Sequence, residues 1–484
     1  MKVGAKSTSP LKRNLLLILL TIFSFLFYAS LSSQTSKGSP ISGFWLGELQ
    51  TFSGKLQLVL KIRPDSVSMD SPKLGFEDLA VEEFTFQASK ISFAVPFAQG
   101  RFEGQFEKAE NRITGEWHMQ GFKLPLTFNR IDAPLPIRER PQTPKPPFPY
   151  RIEEVSYTNV NDKVTLAGTL TLPHGDGPFP AAILLSVAGE NDRNQAFANH
   201  KPFMVLADAL TKAGLAVLRA DDRGVGGSQG DYFQSTYDDF AEDALAARAF
   251  LKSRSEIDSA QIGFIGHSEG TAIAAKSAAA LGEHTAFIVL LGGIGVPAEK
   301  ALLGQARAMA VKQSFSEDRI EASVKRARNL FRLVIDEGSE RRRKEKLWHF
   351  ARTEGLGSPG AAALVAANDT LGQVALFGSP WYRSQFLYDP MATFAKVKCP
   401  VLAITGSLDP VLPADENLPG LQAALIAGKH SDYTIIKAPG LNHLMQTARL
   451  GMPIEYSSID ETFSEQTLAT ILSWLSSRIA AEGN

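Results

Sequence analysis

Along residues 41–131, apolar and polar positions alternate with a period of two. Leu56, Leu58, Leu60 and Ile62 fall on one face of an extended segment, with Gln57 and Lys61 on the other, the pattern of a strand with one side buried. The alternation returns at Phe84 and Phe86, at Ile91, Phe93 and Val95, at Ile113, Gly115 and Trp117, and at Leu124, Leu126 and Phe128, with polar turns such as Ala109–Asn111 between the runs. Short strands of this kind predict a small antiparallel sheet or barrel, the phenylalanines between Phe84 and Phe128 forming its core. Pro134, Pro136, Pro141, Pro144, Pro146, Pro147 and Pro149 follow. Prolines at this density neither extend a helix nor donate to a sheet ladder, so 132–149 reads as a semi-rigid linker.

From 150 to 484 the texture changes. Apolar runs near 163–172, 181–186, 215–220, 261–265, 286–291, 400–405 and 432–437 read as strands, and helical spacing covers 202–213, 237–252, 269–281 and 464–480. Strands alternating with helices predict a mostly parallel sheet with helices on its faces. In the last helix Leu468, Ile471, Leu472, Leu475 and Ile479 make one apolar stripe, a packing face. Residues 297–390 separate two strands by far more than one crossover helix needs, and they predict a helical, lid-like insertion. Its basic run, Arg341, Arg342, Arg343, Lys344 and Lys346, reads as a solvated helix face.

Composition alters this picture in a few places. A chain of 484 residues is too long for one core, which agrees with more than one unit. Its 50 basic residues against 51 acidic ones leave no nucleic-acid footprint. The one cysteine, Cys399, rules out internal disulfides and thiolate metal clusters and reads as a buried structural thiol. No HExxH or similar metal spacing occurs, so neither a metal nor a cofactor is expected. At the amino terminus Lys2, Lys6, Lys12 and Arg13 precede an apolar run from Leu15 to Leu31, followed by Ser32. That order predicts an export signal over 1–32, cleaved or kept as a membrane anchor, and hence a periplasmic or extracellular protein.

The candidate chemistry begins where the apolar stretch Gln261–Ile265 runs into Gly266, His267, Ser268, Glu269 and Gly270, and then into the small-residue helix Thr271–Ala280. Strand, G-x-S-x-G, helix is the pattern of a nucleophile elbow, in which glycines two positions either side of the serine let the chains pass closely. A serine hydroxyl needs a base to take its proton. His443 is the histidine that follows a strand of the sheet directly. His430 precedes that strand, His349 falls in the insertion, and His267 adjoins the serine itself. The acid that orients the imidazole is expected in the turn after 400–405, where Asp409 stands, with Asp415 and Glu416 near enough to substitute. The oxyanion needs two N–H donors. One is Glu269, the residue after the serine; the other is Ala188 in the loop after 181–186, with Val187 and Gly189 as its neighbours. Asp192 and Arg193 read as an ion pair at the rim or as substrate contacts.

With these residues in place, the segment 150–484 resembles the alpha/beta-hydrolases, and more narrowly exported bacterial esterases and serine aminopeptidase-like hydrolases. Asp221, Asp222, Arg223, Gly224, Val225, Gly226, Gly227 and Ser228 are similar to that family's D-x-R-G-x-G-x-S turn, which is structural there. Asn191, Asp192, Arg193 and Asn194 resemble its G-P-Q-D-R-N oxyanion segment, and Gly440 to His443 its histidine loop. Val187 stands where relatives carry a small residue. The first sheet resembles the accessory domain that precedes such hydrolases in some exported bacterial proteins. The resemblance implies an α/β fold, an acyl-enzyme through Ser268, His443 and Asp409, and a small acyl ester as substrate. A serine peptidase on the same fold is the alternative, although such peptidases tend to need an amine-binding acidic pair or a propeller. A non-catalytic scaffold is a third reading, against which the intact Ser, Asp, His order speaks. A dinucleotide site at Gly293, Gly295 and Ala298 is disfavoured by Pro297 inside the motif.

Overall fold

The computed structural model describes residues 39–51, 54–98, 100–119, 122–336, 338–354 and 370–479; the expected export signal lies outside them. The chain divides into two compact units, one holding the residues up to Asp70 with Asp78–Leu135, the other Ser71–Glu77 with Pro136–Asn484.

The first unit is built on a nine-stranded sheet: β1 (Gly43–Thr51), β2 (Gly54–Ile62), β3 (Val67–Ser71), β4 (Phe76–Ala80), β5 (Glu82–Gln87), β6 (Lys90–Val95), β7 (Gly100–Glu107), β8 (Arg112–Met119) and β9 (Phe122–Ile131), hydrogen-bonded in the order β4-β3-β2-β1-β9-β8-β7-β6-β5. Its two ends, β4 and β5, are joined by Val81 alone, so the sheet must curl round on itself. Leu58, Leu60, Ile62, Phe93, Phe102, Trp117, Leu126 and Phe128 share its core. One position departs from simple alternation. Lys61 is not on a solvated face: it is buried, and its ammonium sits 2.5 Å from Asp70 and 2.7 Å from Asp78. A buried lysine is tolerated only when paired in this way.

The second unit holds an eight-stranded sheet: β10 (Arg151–Asn159), β11 (Val164–Leu172), β12 (Phe179–Leu185), β13 (Ala216–Ala220), β14 (Ile257–His267), β15 (Ile288–Leu291), β16 (Val401–Gly406) and β17 (Tyr433–Ala438). The order is β10-β11-β13-β12-β14-β15-β16-β17, with β10, β11 and β13 meeting antiparallel and the remaining neighbours parallel. Strand β10 was not legible as a strand, because Glu153, Glu154 and Ser156 interrupt its apolar positions. Apolar runs such as Ile288–Leu291 serve both faces. Leu290 joins the core with Ile183, Leu218 and Phe264, whereas Val289 and Leu291 join Ala182, Val217 and Ile265 on the other side.

Helices α1 (Pro202–Lys212), α2 (Tyr237–Lys252) and α3 (Glu269–Leu281) link β12 to β15. Between β15 and β16 run α4 (Ala298–Lys312), α5 (Glu317–Ile335), α6 (Glu340–Glu354), α7 (Thr370–Phe377), α8 (Pro380–Leu387) and α9 (Pro390–Phe394), the helical insertion; α10 (Ala414–Ala427), α11 (Pro453–Tyr456) and α12 (Glu465–Ser476) complete the unit. On α6 only part of the basic run is an outer face: Arg341 pairs with Glu345 at 3.0 Å and Lys344 with Glu340 at 2.6 Å, whereas Arg343 and Lys346 are half-buried, on the Gly338 carbonyl and Asp336. Gly295 serves packing: a Cβ there would meet the Asn417 carbonyl at 1.9 Å, and its N–H donates to Asn417 Oδ1. Cys399 is buried, and burial pushes its thiol up to about 12.

The proline-rich stretch is pinned rather than free. Gln142 accepts from the N–H groups of Thr462 and Phe463 and donates to the Phe463 carbonyl. Arg140, 1% exposed, donates to the carbonyls of Ala198, Ile459, Leu74 and Ser457 at 2.7 to 3.0 Å. Burial, and then the neighbouring Arg138, lowers this guanidinium to about 10 against a smaller opposing pull from Asp460. A buried carbonyl stripped of its donor costs about 1–3 kcal/mol. Arg140→Ala is therefore expected to destabilise the protein by about 3 kcal/mol or more, read as a lowered midpoint in urea unfolding; an unchanged midpoint would contradict this account of the arginine.

Candidate active site

In this sheet the chain leaves β12 for β13 on one side and then returns to β14 on the other. That reversal opens a crevice at the carboxyl ends of β12 and β14, where open α/β sheets place their ligands. Ser268 stands there, between β14 and α3. Its backbone has φ 54 and ψ −113, a strained combination for a residue with a side chain. The flanking glycines make the turn possible. A Cβ on Gly266 would lie 2.2 Å from the Gly270 carbonyl, and one on Gly270 would lie 2.1 Å from the Leu185 carbonyl at the end of β12. The Ser268 N–H donates to Leu291 O at 2.8 Å, which ties the turn to β15.

The loops after β16 and β17 bring Asp409 and His443 together. Ser407 N–H bonds Ala438 O, Leu408 N–H bonds Leu441 O, and Gly440 N–H bonds the Ser407 hydroxyl. His443 Nδ1 lies 2.8 Å from Asp409 Oδ2. The other carboxylate oxygen accepts from Val411 N–H at 2.8 Å and Leu412 N–H at 3.0 Å, so every side of a buried carboxylate is satisfied. The alternatives point elsewhere. Asp415 is exposed and pairs with Lys437, Glu416 lies against Gly304, and His430 bonds the Cys399 carbonyl at the opposite end of the sheet. His349 is exposed on α6.

The loop after β12 distinguishes its three candidate donors. Val187 N–H donates to Gln195 Oε1 at 3.3 Å and Gly189 N–H to the Tyr232 hydroxyl at 2.8 Å. Among the described residues, Ala188 N–H and Glu269 N–H have no protein acceptor. Asp192 and Arg193 do not pair with each other. Asp192 caps its own turn through the N–H groups of Asn194 and Ala196, and Arg193 pairs with Asp221 at 2.7 Å and with Glu154. The 221–228 turn is structural: Asp221 also accepts from Gly227 N–H, Ser228 bonds the Asp221 carbonyl, and Arg223 pairs with Asp243 and Asp162 at 2.6 Å.

Two buried networks lie beside the serine. Gln195, held at φ 52, fixes the polarity of the first. Its oxygen takes the Val187 N–H, so its amide nitrogen donates to His267 Nδ1 at 2.9 Å, and His267 Nε2–H in turn donates to the His443 carbonyl at 2.8 Å. A backbone N–H can only donate, and this sets the tautomer of His267. Burial, followed by the neighbouring His443, lowers His267 to about 3, so it is neutral. In the second network Glu269 accepts from Tyr232 O–H at 2.5 Å and from Trp381 Nε1–H at 2.9 Å. Burial raises its carboxyl to about 7 against the hydrogen bonds of Tyr232, Trp381 and Tyr237. Asp222, across the same small cavity of about 70 Å³, accepts from the Ser186 hydroxyl and Asn191 N–H. Burial raises it to about 8, with Glu269 adding a smaller push. Neither network is legible in the sequence, because most of its partners lie tens of residues or more apart.

The sheet order, the reversal at β12 and the serine on a strand-to-helix turn make this second unit an α/β-hydrolase by fold. Within it, residues 198–343 match the profile of the serine aminopeptidase (S33) family. The chain is 33% identical over 105 residues to an esterase, EstD, of Thermotoga maritima, a stretch covering 22% of this chain and 25% of that protein. It is 35% identical over 102 residues to an uncharacterised protein of Mycobacterium tuberculosis, covering 21% of this chain and 33% of the relative. The chain thus matches a quarter to a third of the length of these relatives. Among solved structures it is similar to an esterase of Pyrococcus furiosus (TM-score 0.42, 17% identity, 68% of this chain and 92% of that one).

The buried ionisable groups fix a pH dependence. His200 and His267, lowered to about 4 and about 3, contribute stability present above their ordinary 6.5 and lost as pH falls through the folded values. Glu269 and Asp222 are raised, so their contribution is complete below 4.5 and 3.8 and is lost as pH rises through about 7 and about 8. Above pH 6.5 only the carboxylates among these four still titrate. The thermal midpoint is expected to fall from pH 6.5 to 8.5, and Asp222→Asn to flatten that fall; a midpoint rising over this range would contradict the assignment.

Proposed function

We propose that the chain is a serine hydrolase that cleaves carboxylic esters through an acyl-enzyme. The observation that carries this reading is the 2.8 Å bond from His443 Nδ1 to an Asp409 carboxylate held by two backbone N–H groups, on loops at the same end of the sheet as the strained Ser268. With Nδ1 committed, Nε2 is the imidazole nitrogen that takes the Ser268 proton as Oγ attacks the ester carbonyl. Asp409 holds the tautomer and stabilises the imidazolium that forms. The oxyanion of the tetrahedral adduct accepts from Ala188 N–H and Glu269 N–H, donors fixed before the charge develops. The imidazolium then protonates the departing alkoxide. Water, deprotonated by the same nitrogen, releases the acid and restores Ser268.

The substrate on this reading is a small acyl ester whose acyl and alcohol parts lie between the crevice and the helical insertion, which acts as a lid. Residues 1–32 serve as the export signal or anchor, placing the enzyme in the periplasm or outside the cell. A serine peptidase is the second reading. It is favoured by the family profile over 198–343.

A panel of p-nitrophenyl esters of rising acyl length beside aminoacyl p-nitroanilides separates the two readings. Hydrolysis of short esters is expected, with kcat lowered by about 10³-fold or more in Ser268→Ala. Full ester activity in that variant, or turnover of the anilides alone, would overturn the assignment.

A further inference from the structure

Glu269 follows the proposed nucleophile directly, yet its side chain does not reach for solvent. It is 4% exposed, and its carboxylate accepts from two donors on separate elements, Trp381 Nε1–H of α8 and Tyr232 O–H of the loop before α2, with Tyr237 of α2 beside them. The Tyr232 oxygen accepts in turn from Gly189 N–H at 2.8 Å. Tyr232 and Trp381 also belong to the apolar cluster that binds the insertion together, with Leu347, Phe377 and Tyr382. A buried charge surrounded by neutral donors is a costly way to fill space, since an apolar residue of similar size avoids the desolvation.

We propose that Glu269 is a positioning residue: its carboxylate latches the helical insertion, through Trp381, to the loop that carries Ala188 N–H, through Tyr232 and Gly189. This rests on the hydrolase reading for its effect on rate. Gly189 N–H and the Ala188 carbonyl share one peptide plane, so fixing the first sets the backbone torsion of Ala188. An ionised carboxylate polarises the Tyr232 hydroxyl and strengthens the bond it accepts from Gly189. A protonated carboxyl is a weaker acceptor and carries an O–H of its own, so it holds the Tyr232 O–H and the Trp381 N–H less strongly. The groups that face Glu269 are Tyr232 and Tyr237, with Tyr388 behind Tyr237, and on the cavity wall Asp222, Asp221, Arg223 and Asp243. Of these, Asp221 is neutralised by Arg193, and Arg223 and Asp243 by each other. Only Asp222 adds an unpaired carboxyl. Burial places the carboxyl's titration at about 7, so the latch loosens as pH falls through that value.

The test has an arm independent of activity. The tryptophan fluorescence of the wild type, minus that of Trp381→Phe, is followed from pH 5 to 9. A transition near pH 7 that is absent from Glu269→Gln supports the latch; a flat difference curve overturns it. The second arm uses wild type whose Ser268 is shown by a fluorophosphonate to be reactive. Glu269→Gln is expected to lower kcat for a short p-nitrophenyl ester at pH 8.5 by about tenfold, corresponding to about 1.4 kcal/mol, with KM changed less than kcat, and to lose one ionisation from the kcat profile. Trp381→Phe removes a donor from the carboxylate and is expected to move that ionisation to higher pH. Wild-type kcat and pH profile in both variants overturn the proposal while leaving the hydrolase reading intact. A fluorescence transition in a protein that no fluorophosphonate labels sinks that reading and spares the latch.

Discussion

The close approach of α3 to the end of β12 governs the rest of the second unit. The helix begins where Gly270 touches the Leu185 carbonyl with no room for a side chain. That contact forces the chain to turn within Ser268, at a φ of 54, and it places the N–H of Glu269 beside the loop that leaves β12. One steric constraint therefore sets the place of Ser268 at the strand end, the N–H that follows it, and the burial of the Glu269 side chain. The small residues that follow, Ala272, Ala274, Ala275 and Ala278, are buried against the sheet and let the helix stay that close along its length.

The crevice gathers buried carboxylates that are satisfied in different ways, and the difference sorts their roles. Asp221 meets a guanidinium and backbone N–H groups, the arrangement of a structural anion. Asp409 meets two backbone donors and an imidazole, which orients the ring without a permanent cation. Glu269 and Asp222 meet only neutral donors, so burial prevails and both carboxyls are raised. Groups tuned toward neutral pH cluster at functional sites more than elsewhere. The histidine next to the serine goes the other way, held neutral by burial while it bridges Gln195 and the His443 carbonyl.

Much of this was legible in the sequence. The inner strands β12 to β16 stand out because parallel strands are apolar on both faces, and the elbow because glycine, serine and glycine fall between an apolar run and a small-residue helix. The positions of Asp409 and His443, on loops at one end of the sheet, follow from strand ends alone. What escaped the sequence were features made by long-range contact. Strand β10 carries too many glutamates to look buried, Lys61 reads as a surface residue until Asp70 and Asp78 arrive, and the prolines around Arg140 read as a semi-rigid linker with no sign of what pins it. That the N–H groups of Val187 and Gly189 are taken up depends on the partners Gln195 and Tyr232, and nothing local marks Trp381 as a neighbour of residue 269.

The most direct test is a crystal structure of the protein after reaction with a small fluorophosphonate. The account predicts a phosphonyl group on Ser268 Oγ, its phosphoryl oxygen within hydrogen-bond distance of Ala188 N–H and Glu269 N–H, and His443 Nδ1 still bonded to Asp409. A phosphonyl group on another residue, or a phosphoryl oxygen turned away from both N–H groups, would contradict it.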